Sequence, residues 1–177
     1  MFTLHLPLPF SGFLFYTTVS LLGTTIVQSL AGNINVAKTT LSVPHPYLDG
    51  MAEEWISQHS SNWKNKTIIT YAVFDRKSKE LLGTVGFVGI NKSKAELGYW
   101  FGKQHWDKGY CTEATKALIK FAHANLGISR VTGEHLSSNP ASGRVMKKLG
   151  MRYTASKYAA DRNGNRAKLE VYELQIT

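Results

Sequence analysis

The chain has 177 residues, which suits one domain with a substantial core rather than two small ones. Hydrophobic residues make up 43% and charged residues 19%, with no repeat and no low-complexity run, which excludes disordered and fibrous classes and leaves a soluble globular domain. The net charge of +9 attracts anions of any kind, and Cys111, the one cysteine, excludes an intramolecular disulfide and a cysteine-built zinc site.

The opening segment is unusual. From Met1 to Val36 there is no Lys, Arg, Asp or Glu, and LPLPFSGFLFYTTVSLLGTTIVQSLAG is apolar enough to raise a secretory or membrane reading, with Ser29, Leu30 and Ala31 as small residues before a cleavage point. Against it, the positive start of a signal peptide is missing, and Pro7, Pro9, Gly12 and Gly23 break any run of the ~18 apolar residues that a membrane span requires. The segment is expected to form a buried strand followed by an apolar helix, with no membrane association.

Asp49 precedes GMAEEWISQ, a short helix with acids in its first turns, where the helix dipole favours them. TIITYAVFD and LLGTVGFVGI are β-rich runs around the polar turn RKSKE, hence an antiparallel hairpin. AELGYWFG predicts a further strand, and Gly98 inside it predicts a bulge or a close approach by another group. From Thr112, TEATKALIKFAHANLG puts Ala114, Ala117, Leu118, Phe121 and Ala122 on one helix face and stops at Gly127. The short strand SRVTGEHL follows. In SNPASGRVMKKLGM, Asn139 fits an N-cap, Pro140 the first helical position, Val145, Met146 and Leu149 the apolar face, and Gly150 the stop. The tail predicts a hairpin turning at Asn163 and Gly164. The expected product is one α/β (α+β) domain spanning residues 1–177, its centre running strand, loop, helix, strand, helix.

The stretch HWDKGYCTEA, His105 to Ala114, feeds a strand directly into the long helix. A helix start presents backbone amides and a positive dipole end, so a loop leading into it cradles a phosphate if a glycine lets the backbone come close. Gly109 is that glycine, although a lone glycine here also serves as a plain turn. Lys103 and Lys108 add charge, as solvated lysines would too.

WDKGYCTEA, followed about thirty residues later by NPASGRVMKKLGM, resembles the GNAT superfamily of acetyl-CoA-dependent N-acetyltransferases in its RimJ/RimL-like branch. VPHPYLDGMAEEWI resembles the Pro-aromatic turn and Trp-bearing helix found before the sheet in that branch, and the likeness covers Asn33 to Leu174. Residues 1–32 depart from it: the branch opens with an arginine-bearing strand and an acidic helix, so this segment is expected to be an atypical first strand and helix.

The resemblance implies a mixed central sheet, flanked by helices and splayed at the cofactor site. It places the pyrophosphate of acetyl-CoA over Trp106, Asp107, Lys108, Gly109, Tyr110 and Cys111 and the helix start at Thr112. Trp106 and Cys111 stand where the wider superfamily carries Gln or Arg and Gly or Ala. The pantetheine arm pairs with the backbone of Tyr99, Trp100 and Phe101, where an N–H also stabilises the oxyanion. Glu96 is the candidate general base, and it reads equally as a strand carboxylate paired with a lysine. Glu134 and His135 are weaker candidates for the same role. Ser142 is placed near the departing thiolate and Asn139 at the pantetheine amide, although both also fit purely as cap and first-turn residues. Glu113 reads as structural, since a carboxylate beside a phosphate repels it.

The six histidines show no helical pairing and no grouping with acids, so no metal is expected, and the four tryptophans read as core or cofactor-wall residues. The resemblance implies a cytoplasmic enzyme, monomer or homodimer, that acetylates a primary amine: the N-terminus of a ribosomal or other protein, or a small amine. The second reading is a catalytically inactive CoA-binding module seated on RNA or a ribosomal surface. The basic residues are scattered rather than massed, so nucleic acid is not expected as the primary ligand. The global +9 disfavours highly cationic acceptors unless a local acidic pocket overrides it.

Overall fold

Long apolar runs place the middle of the sheet. The structure, a computed structural model, describes residues 13–16 and 23–176, and of residues 13–16 only the backbone. Expectations for the rest of the first 22 residues lie outside the described residues. β2 (Ile69–Asp75) and β3 (Leu81–Asn91) form the expected hairpin, and the first seven residues of β3 are all buried, as in a strand covered on both faces. β1 (Phe13–Tyr16) pairs with β2, and β4 (Lys94–Phe101) pairs with β3, both antiparallel. β5 (Arg130–Leu136) joins β4 in parallel, and the hairpin of β6 (Arg152–Ala160) and β7 (Arg166–Gln175) lays β7 against β5. The order is β1-β2-β3-β4-β5-β7-β6, a mixed sheet with one parallel pair.

A parallel pair needs a crossover, and α5 (Tyr110–Leu126) supplies it, starting two residues before Thr112 and stopping at Gly127 in the left-handed conformation. On one face α5 and α6 (Pro140–Lys148) bring Leu118, Ile119, Ala122 and Met146 against Val85, Phe87, Leu97 and Val131. On the other, α1 (Thr24–Ala31) and α3 (Met51–Ser57) pack Val27, Leu30, Ala52 and Ile56 over Ala72 and Leu81. Ser29, Leu30 and Ala31 thus lie within α1. Sequence periodicity did not reveal α2 (Ile34–Thr39) or α4 (His59–Asn65), each less than two turns long.

Of the two readings of Gly98, a close approach by another group is met and a bulge on its own strand needs correction. The irregularity lies on β3, between Phe87 and Gly89, and not on β4 at Gly98. β4 keeps its alternation, with Ala95, Leu97 and Phe101 buried. A Cβ at Gly98 would come within 2.6 Å of Val88 Cγ1, so the glycine makes room for the bulged residue opposite.

Two features position the site. The β4–β5 ladder runs from Lys94↔Arg130 only to Leu97↔Gly133, after which the strands part. Beyond that, the tip of the β6–β7 hairpin reaches back to α2: the Arg162 N–H donates to Leu41 C=O (3.1 Å), and its guanidinium donates to Ala37 C=O (2.5 Å) and Thr40 C=O (3.2 Å).

Candidate active site

The loop between β4 and α5 bends through two positive-φ residues, Asp107 (+58°) and Gly109 (+82°). A Cβ at Gly109 would meet no atom within 4 Å, so the backbone conformation calls for glycine and the space beside it is open. The first helical bond of α5 runs from Glu113 N–H to Gly109 C=O (3.1 Å). The amides of Cys111 and Thr112 lie ahead of it, at the positive end of a 17-residue helix. Arg144 and Lys148, one turn apart on α6, line the same cavity of about 280 Å³. Backbone donors, a dipole and two cations around open space suit a diphosphate.

At its other end this cavity meets the parted strands. Gly102 N–H donates to Leu82 C=O (2.9 Å), which makes residue 102 face β3. Alternation along an antiparallel strand then turns the backbone groups of Tyr99 and Phe101 toward the edge that β5 has left, and those of Trp100 toward β3. Of the three residues expected to pair with an extended ligand, Tyr99 presents both N–H and C=O. The Phe101 carbonyl is taken by the Trp106 indole N–H (2.8 Å), so Trp106 braces the loop against the strand end.

Around the gap, α6 supplies polar groups. Asn139 caps the helix, its Oδ1 accepting from Ser142 N–H (3.3 Å) while its Nδ2 donates to Ser142 Oγ (3.1 Å) and to Thr39 C=O (2.9 Å). The Asn139 side chain is therefore engaged within the fold, and its capping role is the one its contacts express. Because Ser142 Oγ accepts from Asn139, its own proton is left to point elsewhere. The Tyr99 hydroxyl donates to Ser142 C=O (3.2 Å), and burial pushes the phenol well above its ordinary range. Burial likewise pushes the Cys111 thiol up to about 12, so it stays protonated and is no nucleophile at neutral pH.

A second cavity, of about 710 Å³, lies on the α3 side of the sheet. It shares Thr39, Thr40, Tyr99, Trp100 and Ser142 with the first, so the two meet at the gap between β4 and β5. Glu96 lines this second cavity, half-buried and without an ion pair among the described residues. Its carboxyl is held above the ordinary range, first by burial and next by the neighbouring Glu134 charge, against the opposing pull of Lys157 and Lys94. Glu134 is paired with Lys157 at 2.5 Å. His135 is buried: one ring nitrogen bonds Leu136 C=O (2.8 Å), and the other abuts Gly143 of α6.

The structure thus gathers Tyr99, Trp100, Phe101, Trp106, Asp107, Gly109, Tyr110, Cys111, Thr112, Asn139 and Ser142 around the first cavity, while Glu96 lines the second. Lys108 is exposed and lines neither. Sequence reasoning missed Arg144 and Lys148, although their i, i+4 spacing with Ala141 and Val145 between and before them marks one helix face. It also missed Thr39 and Thr40, which reach the gap only through long-range contacts. Among the described residues no group of three His, Cys, Asp or Glu could hold a metal ion, and no helix is long and apolar enough to cross a membrane.

A mixed sheet split between two parallel strands, with a helix start on one side of the split and a second cavity on the other, is the GNAT acyl-CoA N-acyltransferase fold. The acetyltransferase (GNAT) domain profile matches residues 24–152, and the chain belongs to that family. It is 30% identical to the uncharacterized N-acetyltransferase YoaA of Bacillus subtilis (strain 168) over 97 residues, 54% of this chain and 55% of that one. It is 27% identical to the ribosomal protein uS5 alanine N-acetyltransferase of Escherichia coli (strain K12) over 115 residues, 63% of this chain and 55% of that one. The chain spans about half the length of the curated relatives it matches. The microcin C7 self-immunity acetyltransferase MccE, solved with acetyl-CoA and AMP, shares the fold at a TM-score of 0.79 and 19% identity, covering 93% of this chain and 92% of that one.

Proposed function

We propose that the protein is an N-acetyltransferase that moves the acetyl group of acetyl-CoA to a primary amine, the α-amine of a protein N-terminus, by direct attack in a ternary complex. The observation that carries this reading is the meeting of the two cavities at the β4–β5 gap, one suited to a diphosphate and the other lined by a carboxylate without an ion pair. The donor lies along the first cavity, its diphosphate at Gly109, Cys111 and Thr112 with Arg144 and Lys148 beside it, and its extended arm paired to Tyr99. Bound there, acetyl-CoA supplies an activated thioester. The acceptor relation follows the Escherichia coli relative, whose name assigns it an alanine of ribosomal protein uS5, and a cytoplasmic setting goes with this reading.

An α-amine has a pKa of about 8 and is mostly protonated at neutral pH, so a base must take its proton. Glu96 serves, directly or through water, and its raised pKa makes it a better base than an exposed carboxylate. The outward N–H groups of Tyr99 and Phe101 stabilise the charge that develops on the carbonyl oxygen, as preorganised donors do in acyl transfer. The Ser142 hydroxyl, with its oxygen already accepting from Asn139, donates to the departing sulfur. The protonated Cys111 argues against an acetyl-cysteine intermediate, and hence for direct attack.

The test is thiol release from acetyl-CoA in the presence of peptides with free N-termini and of small amines. Turnover with peptides is expected. Acetyl-CoA binding without turnover on any amine would overturn the enzyme reading in favour of a CoA-binding module.

A further inference from the structure

We propose that the acceptor cavity selects for positive charge, so that N-termini carrying Lys or Arg at their second or third residue are acetylated in preference to those carrying Asp or Glu. This rests on the acetyltransfer reading above. The chain has 21 Lys and Arg against 12 Asp and Glu, so a wall of average composition would be cationic. The donor cavity follows that trend with Arg144 and Lys148. The acceptor cavity reverses it, with Glu54, Glu96 and Glu134 in its lining and neither Lys nor Arg.

The three carboxylates divide into distinct roles. Glu134 is neutralised by Lys157 (2.5 Å). Glu96 lies on the same sheet face, because its parallel partner is Thr132, two residues before Glu134, and it stands nearest the gap as the proposed base. Glu54 lies across the cavity on α3, exposed and without an ion pair among the described residues. Next to it Trp55 and Trp100 present rings with centroids 6.4 Å apart, and faces of this kind attract cations. His59, only 7% exposed, lines the same cavity with its Nε2 unpartnered, an unmet polar atom in the wall; burial keeps the ring neutral, so it adds no opposing charge. At about 710 Å³ the cavity holds several residues of an acceptor and not only its ammonium group. The global charge of +9 therefore does not describe the surface an acceptor meets.

The experiment compares two peptides identical but for Lys-Lys or Glu-Glu at positions two and three. The expected result is a kcat/KM for the lysine peptide about tenfold higher, falling toward parity in Glu54→Gln and reversing in Glu54→Lys, with acetyl-CoA affinity unchanged in both variants. The affinities of the two N-acetylated product peptides, read by tryptophan fluorescence of the full chain, form a second arm that needs no catalysis. Equal kcat/KM values, a ratio unmoved by Glu54→Lys, or product peptides that bind equally or not at all would overturn the proposal. Absent turnover with the lysine product still bound more tightly would instead sink only the acetyltransfer reading and leave the charge selection standing.

Discussion

At the scale of single residues, the question is which groups can change protonation where the two cavities meet. Glu96 is the carboxylate whose environment raises its pKa from the ordinary 4.5, with burial as the first cause. A base works only when deprotonated, so kcat/KM is expected to fall on the acid side along a limb centred above 4.5. Glu96→Gln should lower kcat by about two orders of magnitude and abolish that limb, with acetyl-CoA binding intact because the side chain lines only the second cavity. A pH–rate profile that keeps its acid limb in Glu96→Gln would assign the base elsewhere. Ser142 differs in kind: it holds no titratable charge, and its place at the gap depends on Asn139, which both caps its helix and accepts its backbone proton.

At the scale of elements, the site is a joint between pieces far apart in the chain. The Gly109 loop, the long helix, the Asn139 cap and both tail strands were legible because each is a local matter of dihedral freedom, periodicity or capping. Glu96 and Ser142 carry no local signal of their own, and only the resemblance to the GNAT superfamily pointed to them. The bulge was misplaced because glycine reports that something comes close, not which strand deviates, and it was Val88 that did. What stayed hidden is long-range: α2 is too short to show a period, yet its end is fastened by Asn139 to Thr39 C=O and by Arg162 to Ala37 and Thr40 C=O. Thr39 and Thr40 line both cavities, so that fastening sets the roof of the gap. Arg162→Ala removes charge-assisted bonds to two carbonyls and is expected to cost about 2 kcal/mol in urea unfolding, and to raise the acceptor KM as the end of α2 loosens. Full stability with an unchanged KM would show the hairpin tip to be a passive neighbour.

At the scale of the whole molecule, acid stability depends on what the two helical layers bury. His59, at the start of α4, is held by burial down to about 4 from an ordinary 6.5, edge-on to Trp55 with ring centroids 4.4 Å apart. Above pH 6.5 the ring is neutral both folded and unfolded, and its burial carries no proton-linked penalty. As pH falls from 6.5 toward 4 the unfolded chain binds a proton that the folded chain refuses, so stability declines across that window by about 3 kcal/mol and then levels. His105, lowered mainly by burial, acts in the same direction, whereas Glu96, with its raised pKa, gains relative stability as it protonates and offsets part of the loss. Asp75, Asp161 and Glu170 have lowered values, so their losses begin at the ordinary carboxylate range and continue below it, from the acid end of the histidine window downward. The melting temperature should therefore drop between pH 6.5 and 4.5 in the native chain and drop less steeply in His59→Gln, which keeps a polar side chain but no titrating ring. Parallel curves for the two proteins would mean that His59 binds its proton equally in the folded and the unfolded chain, and that its burial carries no proton-linked penalty.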